Sequence, residues 1–277
     1  MVSFVIVNYN GEEHLGECIN SILKQTVEKE IIIVDNNSSD KSIDIIKKFP
    51  VRLIQSSGNM GYPMAVNKGV RVAKGDIVFL LNPTSILKED ISRIISVVES
   101  EEAIVVPKLV DNQGKLIHSI RNIPTDLDFL LLFTGLSFVF KKSSILNRWK
   151  YINFDYTKEQ YVPLPMSCAL ILRRKLFDNI VGLFDANFFL YFFDADFARR
   201  LRDNHIKIRY IPSVEVVHYT GELAKKLGEK RIRYLHRDLV RYLKKYHRVL
   251  LMFMGIFVIL TGEIRVVWER IKKKVRI

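Results

Sequence analysis

The chain has 277 residues, 48% of them hydrophobic and 26% charged, with a formal net charge of +13. That length buries one full core with a tail or small second lobe left over, and the absence of low-complexity sequence excludes a disordered or fibrous protein. Two cysteines, Cys18 and Cys168, argue against a disulfide-stapled scaffold or a metal knuckle and read as buried small hydrophobes in a reducing compartment.

The N-terminus, MVSFVIVNYN, has no basic stretch ahead of its apolar residues and reads as a first strand rather than a signal peptide. After the turn Asn8-Tyr9-Asn10-Gly11, the spacing of Leu15, Ile19, Ile22 and Leu23 predicts a helix. Residues 31–34 predict a second buried strand ending at Asp35, and the polar turn 36–40 caps a helix from about Lys41. A third strand is expected at 51–55. Pro63 then opens a helix running to Lys74, which Gly75 closes.

Five apolar residues, Ile77 to Leu81, form a strand buried on both faces, and Asn82-Pro83 stops it. Strands alternating with helices over short connections predict βαβ units and a mostly parallel sheet. Ile91 to Val98 read as a helix, 103–107 as a strand and Asp111 to Gly114 as a hairpin turn. Between Ile120 and Pro165 neither helical nor strand periodicity holds. Further expected elements are a strand at 168–172, a short helix near Arg174 to Asn179, a helix from about Asp194 to Asn204, and strands at 206–211 and 214–218.

From Gly221 onward sixteen Lys/Arg face five Asp/Glu, so residues 1–220 carry only +2. Residues 224–248 read as a basic helix, and the fourteen residues 249–262 contain no charge. Fourteen helical residues span roughly 21 Å, short of the ~30 Å hydrocarbon core of a bilayer. Basic residues flanking a short apolar segment fit a helix lying at an anionic membrane surface. An ordinary core helix with a solvated basic neighbour is the plainer alternative. Nucleic acid is not expected as a partner, because no aromatic-interleaved basic patch lies on the body. The expected organisation is an α/β domain over 1–220 and a helical, membrane-surface tail over 221–277. The expected location is cytoplasmic, peripheral on the inner face of the cell membrane.

In open parallel sheets, ligands bind beyond the carboxyl ends of strands. Asp35 stands at such an end and can accept bonds from ribose or base, or simply cap the next helix. The first turn, NYNGEEH, has one glycine where a nicotinamide-binding fold needs three, which leaves an oxidoreductase as a fold-level analogy only. Asp194 follows the apolar run FFLYFF; burial there raises a carboxylate's pKa and suits it to take a hydroxyl proton. Asp196 is expected to pair with Arg199 or Arg200 across one helical turn. His218 ends a strand; a lone histidine is more often structural than a ligand, but a strand end is where a metal ligand would lie.

The ordered segments VSFVIVNYNG, IIIVDNNSSDKS, GNMGYPMAVNKGVRVAKGDIVFLLNPTS, LFDANFFLYFFDADFARRL and IPSVEVVHYTG resemble the family 2 glycosyltransferases, nearest their rhamnosyltransferase-like branch, over about residues 2–245. The resemblance implies a GT-A fold, an α/β nucleotide-binding sheet joined to an acceptor-binding half. It also implies inverting transfer of a sugar from a nucleoside-diphosphate donor to a lipid-linked or polysaccharide acceptor. Carried over by position, Val7, Asn8, Tyr9, Asn10 and Asp35 would hold the nucleoside. Asn59, Asn67 and Asn82 would line the donor site, Asp194 would be the general base, and His218 would lie near the diphosphate and a Mg²⁺ or Mn²⁺ ion.

Two positions depart from the family pattern. Thr84 stands where the family has the aspartate that binds the divalent ion, offering a neutral oxygen and weakening any metal site. Phe193 stands where the family has Glu before the catalytic aspartate, making the pocket less polar. These two replacements motivate an alternative, a non-catalytic homologue that binds a nucleotide sugar or a partner protein.

Overall fold

The computed structural model describes residues 1–101, 103–180, 182–221 and 226–253. The apolar runs become strands β1 (Val2–Asn8), β2 (Lys29–Asp35), β3 (Arg52–Gln55) and β4 (Ile77–Leu81), all mutually parallel in the order β3-β2-β1-β4. Helices α1 (Leu15–Leu23), α2 (Ser42–Ile46) and α3 (Tyr62–Val72) make the crossovers. Because strand side chains alternate, Val5, Val7, Val78 and Leu80 join one core while Phe4, Ile6, Phe79 and Leu81 join the other, one on each face of the sheet.

Gly69 lets α3 lie directly on that sheet: a Cβ there would meet Val5 Cγ1 at 2.5 Å and Val34 Cγ2 at 3.2 Å. Gly69→Val is therefore expected to destabilise by about 1–3 kcal/mol through overpacking. A denaturation midpoint equal to wild type would contradict that contact.

Beyond β4 follow β5 (Ser85–Leu87), α4 (Ser92–Ser100) and β6 (Ala103–Val110). The hairpin turn forms as expected, with Gly114 at φ +80° and a bridge between Val110 and Leu116. The unparsed stretch resolves into β7 (Ile120–Arg121), α5 (Asp126–Phe133), α6 (Leu136–Val139), a single turn at Arg148–Lys150, β8 (Gln160–Tyr161) and β9 (Leu164–Pro165). Thr125 and Asp128 start α5 with a reciprocal capping box.

Strand β10 (Ala169–Arg173) lies in the centre of the sheet, antiparallel to both β4 and β6. The short helix expected near 174–179 forms as a single π-helical turn, Leu176–Ile180. Helix α7 (Phe193–Asp203) follows, and then β11 (Lys207–His218). The two strands expected at 206–211 and 214–218 are this one strand, because Pro212 and Ser213 are absorbed as an irregularity between Ile211 and Glu215. The full order is β3-β2-β1-β4-β10-β6-β11-β5, with β8 paired to β11.

The basic stretch forms α8 (Lys230–Tyr246). Asp238, Tyr242 and Leu243 are fully buried, and Tyr242 and Leu243 belong to the α3-side core. Of the apolar segment 249–262, residues 254–262 lie outside the described residues. No helix among the described residues is long and apolar enough to cross a membrane.

Candidate functional site

The carboxyl ends of β1 and β2 meet at a polar turn. Asn8 is fully buried and donates through Nδ2 to Asp35 Oδ1 at 2.8 Å and to Ser38 Oγ at 3.0 Å. Asp35 also accepts from the Ser38 main chain at 2.9 Å and the Ser38 hydroxyl at 2.6 Å. Its carboxylate thus organises the turn, leaving Asn8 Oδ1 as a buried acceptor without a partner. Asn10, at φ +53°, accepts from the Ser39 main chain at 2.8 Å and from Lys226 Nζ, through its carbonyl, at 3.0 Å.

Beside this turn lies a cavity of about 70 Å³ lined by Val7, Tyr9, Asn36, Asn59, Gly61, Tyr62, Phe189, Leu190 and Leu227. Three of the residues expected to bind the donor, Val7 and Tyr9 at the nucleoside and Asn59 along the donor site, are brought together here. Asn67 lies elsewhere. Its Nδ2 donates to the Phe184 carbonyl at 2.7 Å and its Oδ1 accepts from the Phe184 amide at 3.0 Å, so the whole side chain is spent fixing α3 to that loop. Asn82 donates its main-chain N–H to the Cys168 carbonyl at 2.9 Å and keeps a buried, unpaired Oδ1. Asn36, Tyr62 and Phe189 escaped sequence reasoning. Asn36 had a signal, since it follows Asp35 at the same strand end.

The second cavity, about 280 Å³, is lined by Arg121, Asn122, Trp149, Phe192 and Asp194 among others, and it shares Leu190 with the first. Asp194 is half-buried in the first turn of α7, where its Oδ1 accepts from the Ala195 amide at 2.8 Å. Burial raises its pKa above the usual carboxylate range, against the Ala195 N–H and the Arg121 charge, which both lower it. Phe192, immediately before the helix, is held at φ +61°, a conformation costly for an aromatic residue. Phe193 is buried against Tyr62 and Phe184, so the position that departs from the family pattern is an apolar wall.

What holds this strained turn is α8. Asp238 Oδ2 accepts from three consecutive main-chain amides, Phe189, Leu190 and Tyr191, at 3.0, 2.9 and 3.0 Å. Lys245 bonds Asp185 at 2.8 Å and Asp196 at 2.6 Å, Tyr246 donates to Asp196 at 2.8 Å, and Arg199 donates to the Tyr242 hydroxyl at 2.7 Å. Asp196 is fully buried and pairs with Arg200 at 3.0 Å, the structural role its spacing suggested. The one acidic residue of a basic helix, Asp238, was the available signal for this clamp.

Thr84 precedes the residue that faces His218: Ser85 pairs with His218 across β5 and β11, with Ser85 Oγ 3.0 Å from His218 Nδ1. Both are buried, and the Thr84 carbonyl accepts from the Tyr219 amide at 3.0 Å. A hard divalent cation needs several oxygen ligands, preferably carboxylate. One neutral hydroxyl and one imidazole do not meet that need. Among the described residues no group of three or more His, Cys, Asp or Glu side chains is placed to hold a metal ion. Cys18 and Cys168 are free and buried, and burial pushes both thiols up to about 12, which leaves them unreactive.

A model of glycosyl transferase family 2 matches residues 3–181. Glycosyltransferase GlyG of Streptococcus pneumoniae serotype 4 is 31% identical over 165 residues, covering 54% of this chain and 52% of that protein. The chain thus spans about half the length of that relative. Rhamnosyltransferase WbbL of Escherichia coli K12 is 25% identical over 257 residues, covering 88% of this chain and 93% of the relative. The crystal structure of S. aureus TarS 1–349 in complex with UDP-GlcNAc aligns with a TM-score of 0.54 at 18% identity, over 87% of this chain and 66% of that one. The architecture is accordingly GT-A-like, with a mostly parallel central sheet.

Proposed function

Since the chain belongs to glycosyl transferase family 2, we propose that it transfers a sugar, with inversion, from a nucleoside-diphosphate donor to a glycan or lipid-linked acceptor, using Asp194 as general base. The observation that carries this reading is the meeting of two cavities at Leu190, with a desolvated carboxylate lining the larger. The donor's nucleoside would enter the smaller cavity beside Val7, Tyr9 and Asn59. The acceptor hydroxyl would enter the larger. Asp194 takes its proton as the oxygen bonds the anomeric carbon, and the bond to the diphosphate breaks on the opposite face. The acceptor would be met at the inner face of the cell membrane.

Because burial raises the Asp194 pKa, the acid limb of kcat/KM should lie above the ordinary aspartate value of about 3.9. A pH–rate profile with an acid limb at or below that value would remove Asp194 from the role.

The donor set around Thr84 fits a divalent ion poorly, so no step is assigned to one. Turnover in excess EDTA is expected to stay within roughly ten-fold of that with Mg²⁺ or Mn²⁺, less than a metal centre supplying several kcal/mol would lose. Complete loss on chelation would show that substrate oxygens complete a site the chain alone lacks.

A second reading, a non-catalytic nucleotide-sugar binder, is favoured by Thr84 and Phe193 and by the internal saturation of Asp35. Thermal-shift and product assays across nucleotide sugars separate the two. Binding without any release of nucleoside diphosphate would select the second.

A further inference from the structure

The cavity that Asp194 lines does not stand alone. A neighbouring cavity of about 340 Å³ is lined by His118, Arg121, Trp149, Lys150 and Ile152, and the two share Arg121 and Trp149. Arg121 ends β7, whose register with β9 sets it opposite Leu164. Trp149 and Lys150 sit on the turn Arg148–Lys150, fastened to β7 by the Asn122 amide donating to the Trp149 carbonyl at 2.9 Å. The Arg121 guanidinium lies 5.3 Å and the Lys150 ammonium 5.7 Å from the same Trp149 ring.

These cations differ from their neighbour Arg148. That side chain is neutralised by Asp128 and also donates to the Ile123 carbonyl at 3.1 Å. Among the described residues, neither Arg121 nor Lys150 has a carboxylate in salt-bridge contact. Trp149 Nε1, on the wall common to both cavities, is a buried donor without a partner. Two cations without a salt-bridged carboxylate, set around one aromatic face, make a locus for an anion carrying more than one charge.

The surface beside this locus is apolar. Leu127, Leu130, Phe138, Val139, Phe140 and Ile145, on or between α5, α6 and the Trp149 turn, are all exposed. Ile152, also exposed, lines the second cavity itself.

We propose that Arg121 and Lys150, on either side of Trp149, bind the phosphate or diphosphate ester of an acceptor whose sugar reaches Asp194 and whose apolar substituent runs toward the α5–α6 surface. The assignment rests on the reading of the Asp194 cavity as the acceptor side. It names the acceptor's class: an anionic sugar ester bearing an apolar group.

The test compares an octyl glycosyl diphosphate with the matching neutral octyl glycoside, titrated calorimetrically into the full chain. Wild type should bind the diphosphate at least roughly ten-fold tighter, the size expected for one or two charge-assisted contacts. In the Arg121→Ala/Lys150→Ala variant that preference should vanish, while affinity for uridine diphosphate and the melting temperature stay at wild-type values. No preference in wild type, or a preference that survives the substitutions, overturns the site. A parallel loss of uridine diphosphate binding would assign the cations to the donor instead and also overturns it. Vesicles of phosphatidylglycerol form a further arm: lost vesicle binding with an unchanged diphosphate preference would mean a lipid-headgroup contact rather than an acceptor site. Wild type that ignores uridine diphosphate yet prefers the octyl diphosphate would count against the proposed donor chemistry, not against this site.

Discussion

Replacing Asp194 by Asn should lower kcat by about 10²- to 10⁴-fold, the usual contribution of a positioned general base. The amide is isosteric and cannot accept the acceptor's proton, so nucleotide binding should be unchanged. Stability supplies an independent check, because the folded-state pKa of Asp194 is raised by desolvation. A raised carboxylate binds its proton more tightly folded than unfolded. Its ionisation therefore costs stability, beginning as pH rises through the unfolded value of about 3.9 and complete above the folded value. Asp194→Asn should melt no lower than wild type at neutral pH, and the difference should disappear in acid below both values. Undiminished turnover in this variant would eliminate Asp194 as the base.

The second large effect belongs to Asp238. Its carboxylate serves three successive amides of the turn that leads into Asp194, and the residue is fully buried. A buried donor left unmet costs about 1–3 kcal/mol and these three are partly buried, so Asp238→Ala should lose about 3 kcal/mol. That corresponds to a fall in melting temperature of roughly ten degrees, at about 2–4 °C per kcal/mol for a domain of this size. Asp238→Asn keeps one carbonyl oxygen for the turn and should fall in between. The flanking Arg237 and Arg241 are about 40% exposed at 3.5 and 3.8 Å, so their stranded charges add little. Turnover should fall with stability, because Phe192 has no reason to keep its strained φ once the amides before it are released. An Asp238→Ala protein that melts with wild type would show that the three contacts contribute nothing net.

The sheet was readable wherever burial on both faces left an uninterrupted apolar run, as at Ile77–Leu81, whose ends match the strand residue for residue. Strand direction was not readable, since an apolar run looks the same in either sense; β10 was foreseen as a strand but not as an antiparallel insertion. The 120–165 stretch hid its structure because β7, β8 and β9 are two residues each and α5 is apolar nearly all round, so no period could emerge. In α8 the opposite problem arose. A charge-rich sequence suggests solvent, yet Asp238 and Lys245 are the side chains that tie the helix to the site. Asn67 was placed with the donor by position, although an asparagine amide answers equally well to a loop's main chain.

The central position of β10 has a bearing on how the molecule assembles. Strands β1 to β4 are consecutive in sequence and pair with one another, so that half of the sheet forms through local crossovers. The other half cannot be welded to it until Ala169–Arg173 arrives, long after Leu81 has been made, and slots between β4 and β6 with both edges satisfied at once. Late, non-local strand addition of this kind is entropically slow and leaves a bare edge on β4 exposed to wrong partners meanwhile. The slowest refolding phase should accordingly belong to this insertion, and changes at Ile171 should alter its rate more than those in β1 or β2.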